Sequence, residues 1–390
     1  MNQFQTDAIV RKVLGLAMIL VGIGLAVAQL SKGAASVVAA EQAGTVSAQT
    51  PAELPRLENA KTETRPATGG FEATLRDLLA RQDQPEWVGY AVQGLPGKHN
   101  ACCGSYGDNQ GCGTCQLEKG YSTGKHSTTS SQTARLEGPR QLFVLIRLEE
   151  RRVRRIQVAS DNCTLDAGGL PFIWLTGVNS SESLAWLGNL VRDADFKERG
   201  EHGLGQGALT ALALHADPGA DRALESFVAA DQQEELRKQA AFWMGAARGK
   251  AGVDALKRLA KSDTSQDVRA HVAFALFVSD ENGAVDEIIR MAHDDGSTHV
   301  RGQALFWLAQ KAGQRAAGAI TGAIENDPDT EVKKKAVFAL SQLPKDEGVP
   351  KLILVAQTNK NPEVRKQAMF WLGQSADPRA IAFFEKVLSR

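Results

Sequence analysis

The chain has 390 residues, 45 Lys+Arg against 45 Asp+Glu, 43% hydrophobic and 23% charged residues. This is ordinary globular composition with length for two or three domains. A formal net charge of zero excludes a strongly basic protein that holds nucleic acid by phosphate neutralisation, and equally a highly charged disordered chain.

Residues 1–40 read as a targeting segment. Arg11 and Lys12 precede an uncharged apolar run from Val13 to Ala28, and small residues follow at Ala26-Val27-Ala28 and Val38-Ala39-Ala40. A positive, apolar, then small-residue order is that of a secretory signal peptide, with an uncleaved membrane anchor as the alternative. Either places the rest outside the cytoplasm, periplasmic or secreted, because Lys and Arg stay inside. Contact with a membrane is then expected only through that anchor.

Residues 41–70 are poor in apolar side chains and carry Pro51, Pro55 and Pro66, so they read as a disordered linker. Residues 71–198 differ in composition and hold all five cysteines. Phe71–Arg81 is an amphipathic helix candidate. Leu142–Ile146 and the stretch around Val153, Ile156 and Val158 predict a β-hairpin, Pro171–Leu175 another strand, and Ser181–Val191 a helix with Leu184, Leu187 and Leu190 at helical spacing. The block reads as a small α+β domain.

From residue 199 the chain repeats itself. The segment Val364-Arg365-Lys366-Gln367-Ala368-Met369-Phe370-Trp371-Leu372 recurs in pattern at Val332, Val300, Val268 and Leu236, each 32 residues before the next, with a degenerate copy at Leu204. Six copies occur without insertion or deletion. Each unit reads as two helices. Asn361, Asp329, Ser297 and Ser265 stand at cap positions of the first helix, and Asp377-Pro378 opens a second. A helix pair of this size cannot bury its own apolar face, so neighbours must stack into one core.

The V-R-x-x-A-x-x-x-L pattern, preceded five residues earlier by Asp263, Asp295 or Asp327, resembles the short HEAT-like repeat first described in phycobilisome lyases. That resemblance implies a mostly α fold: a right-handed α-solenoid over residues 199–390 whose concave surface binds other molecules, usually proteins. It does not imply lyase activity, because fold does not fix function. A lyase or isomerase acting on a prosthetic group stays as an analogy only. The first copy departs from the pattern, with Gly205 for Arg and Thr210 for Phe, which suits a capping repeat.

Three sets of residues are candidates for function. Cys102, Cys103, Cys112, Cys115 and Cys163 lie in the small domain, while the solenoid has none. Outside the cytoplasm they read as two disulfides and a leftover thiol. The Cys112-x-x-Cys115 spacing also suits zinc, with His99 and His126 as further ligands, or thiol-redox chemistry. No metal or other cofactor is assigned from this pattern.

The second set is a pair of charge ladders. Arg237, Arg269, Arg301, Lys333 and Arg365 share one register, and Asp231, Asp263, Asp295 and Asp327 share another. In-register ladders of opposite charge predict ties between repeats. The third set is aromatic. Phe242, Phe274, Phe306, Phe338 and Phe370 lie off the core arc and are candidate partner contacts, while Trp243, Trp307 and Trp371 alternate with Ala275 and Ala339 and read as core.

Arg147, Arg151, Arg152, Arg154 and Arg155 make the hairpin a candidate patch for an acidic partner or anionic lipid head groups, against a plain solvated face. No phosphate loop, nucleophile elbow or zinc-protease motif occurs. The expectation is an extracytoplasmic, non-enzymatic scaffold for a protein or peptide partner, with no nucleic acid. The alternative is a zinc-binding or thiol-redox Cys domain with the repeats as a docking arm.

Overall fold

A computed structural model describes residues 54–96, 100–102, 105–107, 113–119, 121–122, 141–196, 203–311 and 314–389. Residues 1–40, the expected targeting segment with its candidate cleavage sites, lie outside the described residues. Among the described residues no helix is long and apolar enough to cross a membrane.

The small domain is built on a five-stranded sheet. Its strands are β2 (Lys61–Pro66), β3 (Glu86–Gln93), β8 (Gln141–Glu149), β9 (Arg152–Ser160) and β11 (Pro171–Thr176), in the order β2-β11-β3-β8-β9. The β2-β11-β3 side is parallel and the β3-β8-β9 side antiparallel. The predicted hairpin is β8–β9. Glu150 and Arg151 form its two-residue turn with φ of 52° and 56°, the left-handed pair that suits the twist of such a hairpin.

Both faces of this sheet are covered, so side chains alternate between two apolar layers. Val88, Tyr90, Val144, Ile146, Ile173 and Leu175 point to the layer shared with α1 (Phe71–Arg81) and α2 (Ser180–Asp193). Trp87, Phe143, Leu145, Phe172 and Trp174 point to a second layer that also holds Cys115, Leu117, Cys163 and Leu165. That layer is closed by a smaller sheet, β1 (Arg56–Glu58), β10 (Thr164–Asp166), β6 (Thr114–Gln116) and β7 (Tyr121–Ser122). The short hairpin β4 (Asn100–Cys102) and β5 (Ser105–Gly107) completes the strands.

This corrects the linker expectation. From Leu54 the chain already belongs to the domain, because β1 pairs in parallel with β10 and β2 with β11. Lys61–Pro66 has almost no apolar residue because it is an exposed edge strand.

The rest is a stack of helix pairs. Each repeat has a first and a second helix: α3 (Leu204–Ala213) and α4 (Gly219–Phe227), α5 (Glu234–Ala247) and α6 (Gly249–Ser262), α7 (Gln266–Val278) and α8 (Asn282–Asp294). There follow α9 (Thr298–Lys311) and α10 (Gln314–Asn326), α11 (Thr330–Ser341) and α12 (Lys345–Thr358), α13 (Pro362–Gln374) and α14 (Pro378–Leu388). The chain is thus mostly helical, a HEAT-type α-solenoid preceded by a strand-containing region.

All four expected cap residues cap. Ser265 accepts from Val268 N, Ser297 from His299 N, Asp329 from Glu331 N and Val332 N, and Asn361 from Glu363 N. From α5 onward the first helices of successive repeats pack closely on one another, whereas second helices touch sparsely. Tighter spacing on the first-helix side makes it the inner side of the stack.

The two regions share one core. A single apolar cluster runs from Phe71 on α1 to Phe383 on α14. At the joint, α3 lies against β9. A side chain at Gly207 would sit 2.3 Å from the Ile156 carbonyl oxygen, and one at Gly205 would sit 2.3 Å from Ala194 Cβ. Gly205 is the residue that breaks the Arg register, so the first repeat departs from the pattern where the sheet domain needs the space.

Candidate functional site: the inner face of the solenoid

The charge ladders are clamps between repeats. Arg237 Nε lies 3.0 Å from Asp263 Oδ2, Arg269 Nε 2.8 Å from Asp295 Oδ2, and Arg301 Nε 2.7 Å from Asp327 Oδ2. Each guanidinium reaches the carboxylate 26 residues later, and its Nη1 also donates to carbonyls of the loop before its own helix. Each of these carboxylates in turn accepts from the backbone N–H two residues on, at Ser265, Ser297 and Asp329. One side chain thus fixes the loops on both sides of its repeat. The Asp327 contact raises the Arg301 pKa. Burial pushes Asp295 up, but Arg269 and the Ser297 amide outweigh it and hold the carboxyl below its ordinary value.

Asp231 stands apart. It is exposed and accepts from Gln232 Nε2, because Gly205 occupies the place of its arginine. Lys333 also departs: its Nζ donates to the Glu325 carbonyl at 3.0 Å, and Asn359 stands where the next aspartate is expected.

The aromatic residues form one connected ladder along the inner face. Phe242 stacks on Phe274 at 5.9 Å and Phe306 on Phe338 at 6.2 Å, with planes tilted by 17° and 7°. Trp307 bridges back to Phe274 at 4.7 Å and to Phe277 at 4.9 Å, and Trp371 bridges back to Phe338 at 4.9 Å. Within a repeat each Trp meets its own Phe edge-on. These contacts lie in the 4.5–7 Å range where aromatic pairs attract.

Phe242, Phe274, Phe306 and Phe338 are half-buried, and Phe370 is 53% exposed. The tryptophans, read as core residues, are half-buried and pack against the edge of the core cluster. Trp307 and Trp371 reach sideways toward the preceding repeat, and the intervening Ala275 and Ala339, both fully buried, leave the room. Sequence periodicity placed the Phe register off the core arc but gave no sign of the lateral stacking.

Beside the ladder sits His271, whose ring meets Phe274 at 5.4 Å and whose Nε2 is buried without a hydrogen-bond partner. Burial lowers its pKa to about 4, helped by the positive charge of Lys238. At the joint lies a second buried imidazole, that of His215. The Tyr90 hydroxyl and Ser183 Oγ are 2.8 Å apart, and His215 Nε2 is 3.2 Å from the same Ser183 Oγ. All three residues are fully buried. Burial takes His215 down to about 4, with Arg248 lowering it further and Asp217 opposing. A buried serine without access to solvent is a structural joint here, and the register of His215 carried no signal of it.

In the small domain Cys115 and Cys163 are fully buried, and neither is a free thiol. Cys102 is described only through its backbone in β4. Cys103, Cys112, His99 and His126 lie outside the described residues. Among the described residues no three His, Cys, Asp or Glu side chains come together in a metal-binding group.

The hairpin arginines do not form one patch. Arg147 is buried, with its Nε 2.7 Å from Glu118 Oε1 and its guanidinium over the Trp87 ring, and Arg155 donates to the Leu117 carbonyl. Arg152 and Arg154 point to the other face, because neighbouring strand residues alternate. Burial pushes the Glu118 carboxyl up, but Arg147 and Trp87 outweigh it, so it stays ionised. It borders an open polar cleft of about 400 Å³ with Asn59, Gln116 and Asp166.

Residues 222–309 and 318–390 match the family model of HEAT repeats. No curated protein matches the chain. Among solved structures, human deoxyhypusine hydroxylase in complex with glycerol is 17% identical, over 53% of this chain and 90% of that one, at a TM-score of 0.25. Kap121p bound to Pho4p is 13% identical over 54% of this chain and 27% of that one, at 0.36. The complex of CpcE and CpcF of phycocyanin lyase from Nostoc sp. PCC7120 is 18% identical over 53% and 81%, at 0.26. At these scores the likenesses carry no argument about activity.

Proposed function

We propose that this protein is an extracytoplasmic, non-enzymatic scaffold that binds a protein or peptide partner along the inner face of its solenoid. The carrying observation is the connected aromatic ladder from Phe242 to Trp371, half-buried on the inner side of five successive repeats. Rings that stack on one another and still face solvent offer rigid, amphipathic contact area at little entropic cost, which interfaces favour. The extracytoplasmic setting rests on the charge and apolar pattern of residues 1–40.

Cys115 and Cys163 form disulfides in this reading, with partners among Cys102, Cys103 and Cys112, and staple the small domain. Their burial in the layer between the two sheets weighs against the alternative of zinc or thiol-redox chemistry, which needs reachable thiolates. The small domain then acts as the cap of the stack.

The test is capture of partners from the cell envelope by the tagged full chain, read by mass spectrometry against a Phe306→Ala/Phe338→Ala variant. The reading expects partners that the variant loses while its thermal unfolding stays cooperative. Partners retained by that variant and lost on changing residues of 54–196 would move the function to the small domain. The full chain is required, because a cut near residue 200 passes through the shared core at Gly207.

A further inference from the structure

The inner face is not uniform along its length. In the first three clamps every guanidinium meets a carboxylate. At the fourth position the carboxylate is missing, because Asn359 stands in its place. Lys333 uses the Glu325 carbonyl, and Arg365 Nη1 the carbonyls of Asn359 and Lys360, at 2.8 and 3.1 Å. Lys335 and Lys366 add two exposed ammonium groups with no ion pair among the described residues. The Lys335 stem lies across Gly302 of the preceding first helix. Lys334 alone is paired there, with Glu331 at 2.9 Å. At the other end of the face the picture reverses, because Lys238 meets both Glu234 and Glu235, at 3.3 and 2.6 Å.

The aromatic ladder opens over the same stretch. Phe370 is 53% exposed, with Met369 beside it at 36%. Uncompensated positive charge and an uncovered ring therefore coincide on α11 and α13. An aromatic floor with cations around it is complementary to a chain of opposite charge that carries a large apolar side chain.

We propose that the inner face of α11 and α13 is a docking site for an acidic peptide segment with an aromatic or large aliphatic anchor. The anchor covers Phe370 and Met369, and the carboxylates meet Lys333, Lys335, Arg365 and Lys366. This rests on the scaffold reading and adds to it the place and the chemistry of the partner.

The experiment pans a random peptide library, displayed on phage, against the full chain. Enriched peptides are then synthesised and measured by fluorescence anisotropy. The expected peptides are net acidic with Phe, Trp or Leu. Their affinity falls about tenfold or more in Lys335→Glu/Lys366→Glu and with rising salt, as for charge-guided docking. It stays unchanged in Lys261→Glu, which lies on a second helix. Asn359→Asp restores the missing carboxylate, so it raises the unfolding temperature and weakens the peptide, two opposite shifts that a merely unfolded variant does not give.

Enriched peptides that are neutral or basic, or that ignore the charge reversals, overturn the acidic site and leave the scaffold reading standing. An absence of any enriched peptide overturns both. An oligothymidylate that displaces the peptide at equal concentration shows a general polyanion surface and also overturns the proposal.

Discussion

The sheet domain and the solenoid solve one problem in different ways. Neither a single helix pair nor a small sheet buries enough apolar area alone. The solenoid repeats one Arg–Asp clamp every 32 residues and lets neighbours supply the missing core. The sheet domain repeats nothing. It buries both faces of its central sheet, places two cysteines in one layer, and borrows the first solenoid helix to finish the other. Where a motif recurs, one side chain's role is read from its register. Where nothing recurs, each contact is particular, and only the folded chain shows it.

The sharpest way to break this contrast is at the clamps. Asp327→Ala leaves Arg301 buried without its counter-ion, because both side chains are under 10% exposed. The expected cost is about 3–5 kcal/mol, seen as an early transition of the last repeats in urea unfolding. Loss spread evenly over the whole chain instead would mean that the solenoid is not held neighbour to neighbour.

Reduction is the matching test of the other region. If the disulfides of the proposed function are present, a reductant lowers the stability of the sheet domain by about 2–5 kcal/mol and leaves the clamps intact. Near-ultraviolet circular dichroism of Trp87 and Trp174, both fully buried, separates the two transitions.

Acid acts on both regions. His215 and His271 are neutral in the fold and titrate at about 4, while the unfolded chain takes its protons at the ordinary 6.5. Between those values the unfolded state binds more protons. Stability is therefore level above neutrality and falls as pH drops from about 6.5 to about 4, by up to ~3 kcal/mol for each imidazole. His215→Gln removes the part of this slope that belongs to the joint; an unchanged slope would show that the joint opens elsewhere.

The smallest effect is at a cap. Asp329→Ala removes the acceptor for Glu331 N and Val332 N and costs about 1 kcal/mol by thermal unfolding.

What the sequence made legible follows the same division. The repeat period, the caps and the pairing of the Arg and Asp registers were all visible, because each is a local pattern written several times. The strands at Arg56–Glu58 and Lys61–Pro66 were not. Their residues are polar, and the chain that holds them in place lies around 100 residues later, at β10 and β11. The joint was hidden for the same reason: Tyr90 and His215 meet Ser183 across 93 and 32 residues, with no motif to announce them. At the inner face the Phe register was legible as a surface stripe. That Lys333 turns to a backbone carbonyl showed only in the folded chain.

The alternation of Trp and Ala along the ladder limits how such an array changes length. Each indole fills space that a neighbouring alanine leaves open. Excising a single unit would keep the Arg–Asp clamps in register, yet would bring two indoles into adjacent rows where one fits if the unit carries Ala, or leave two alanines adjacent if it carries Trp. Excising two consecutive units preserves both patterns. The heritable module of this array is therefore a pair of units, and variants that have grown or shrunk are expected to differ by even numbers of them.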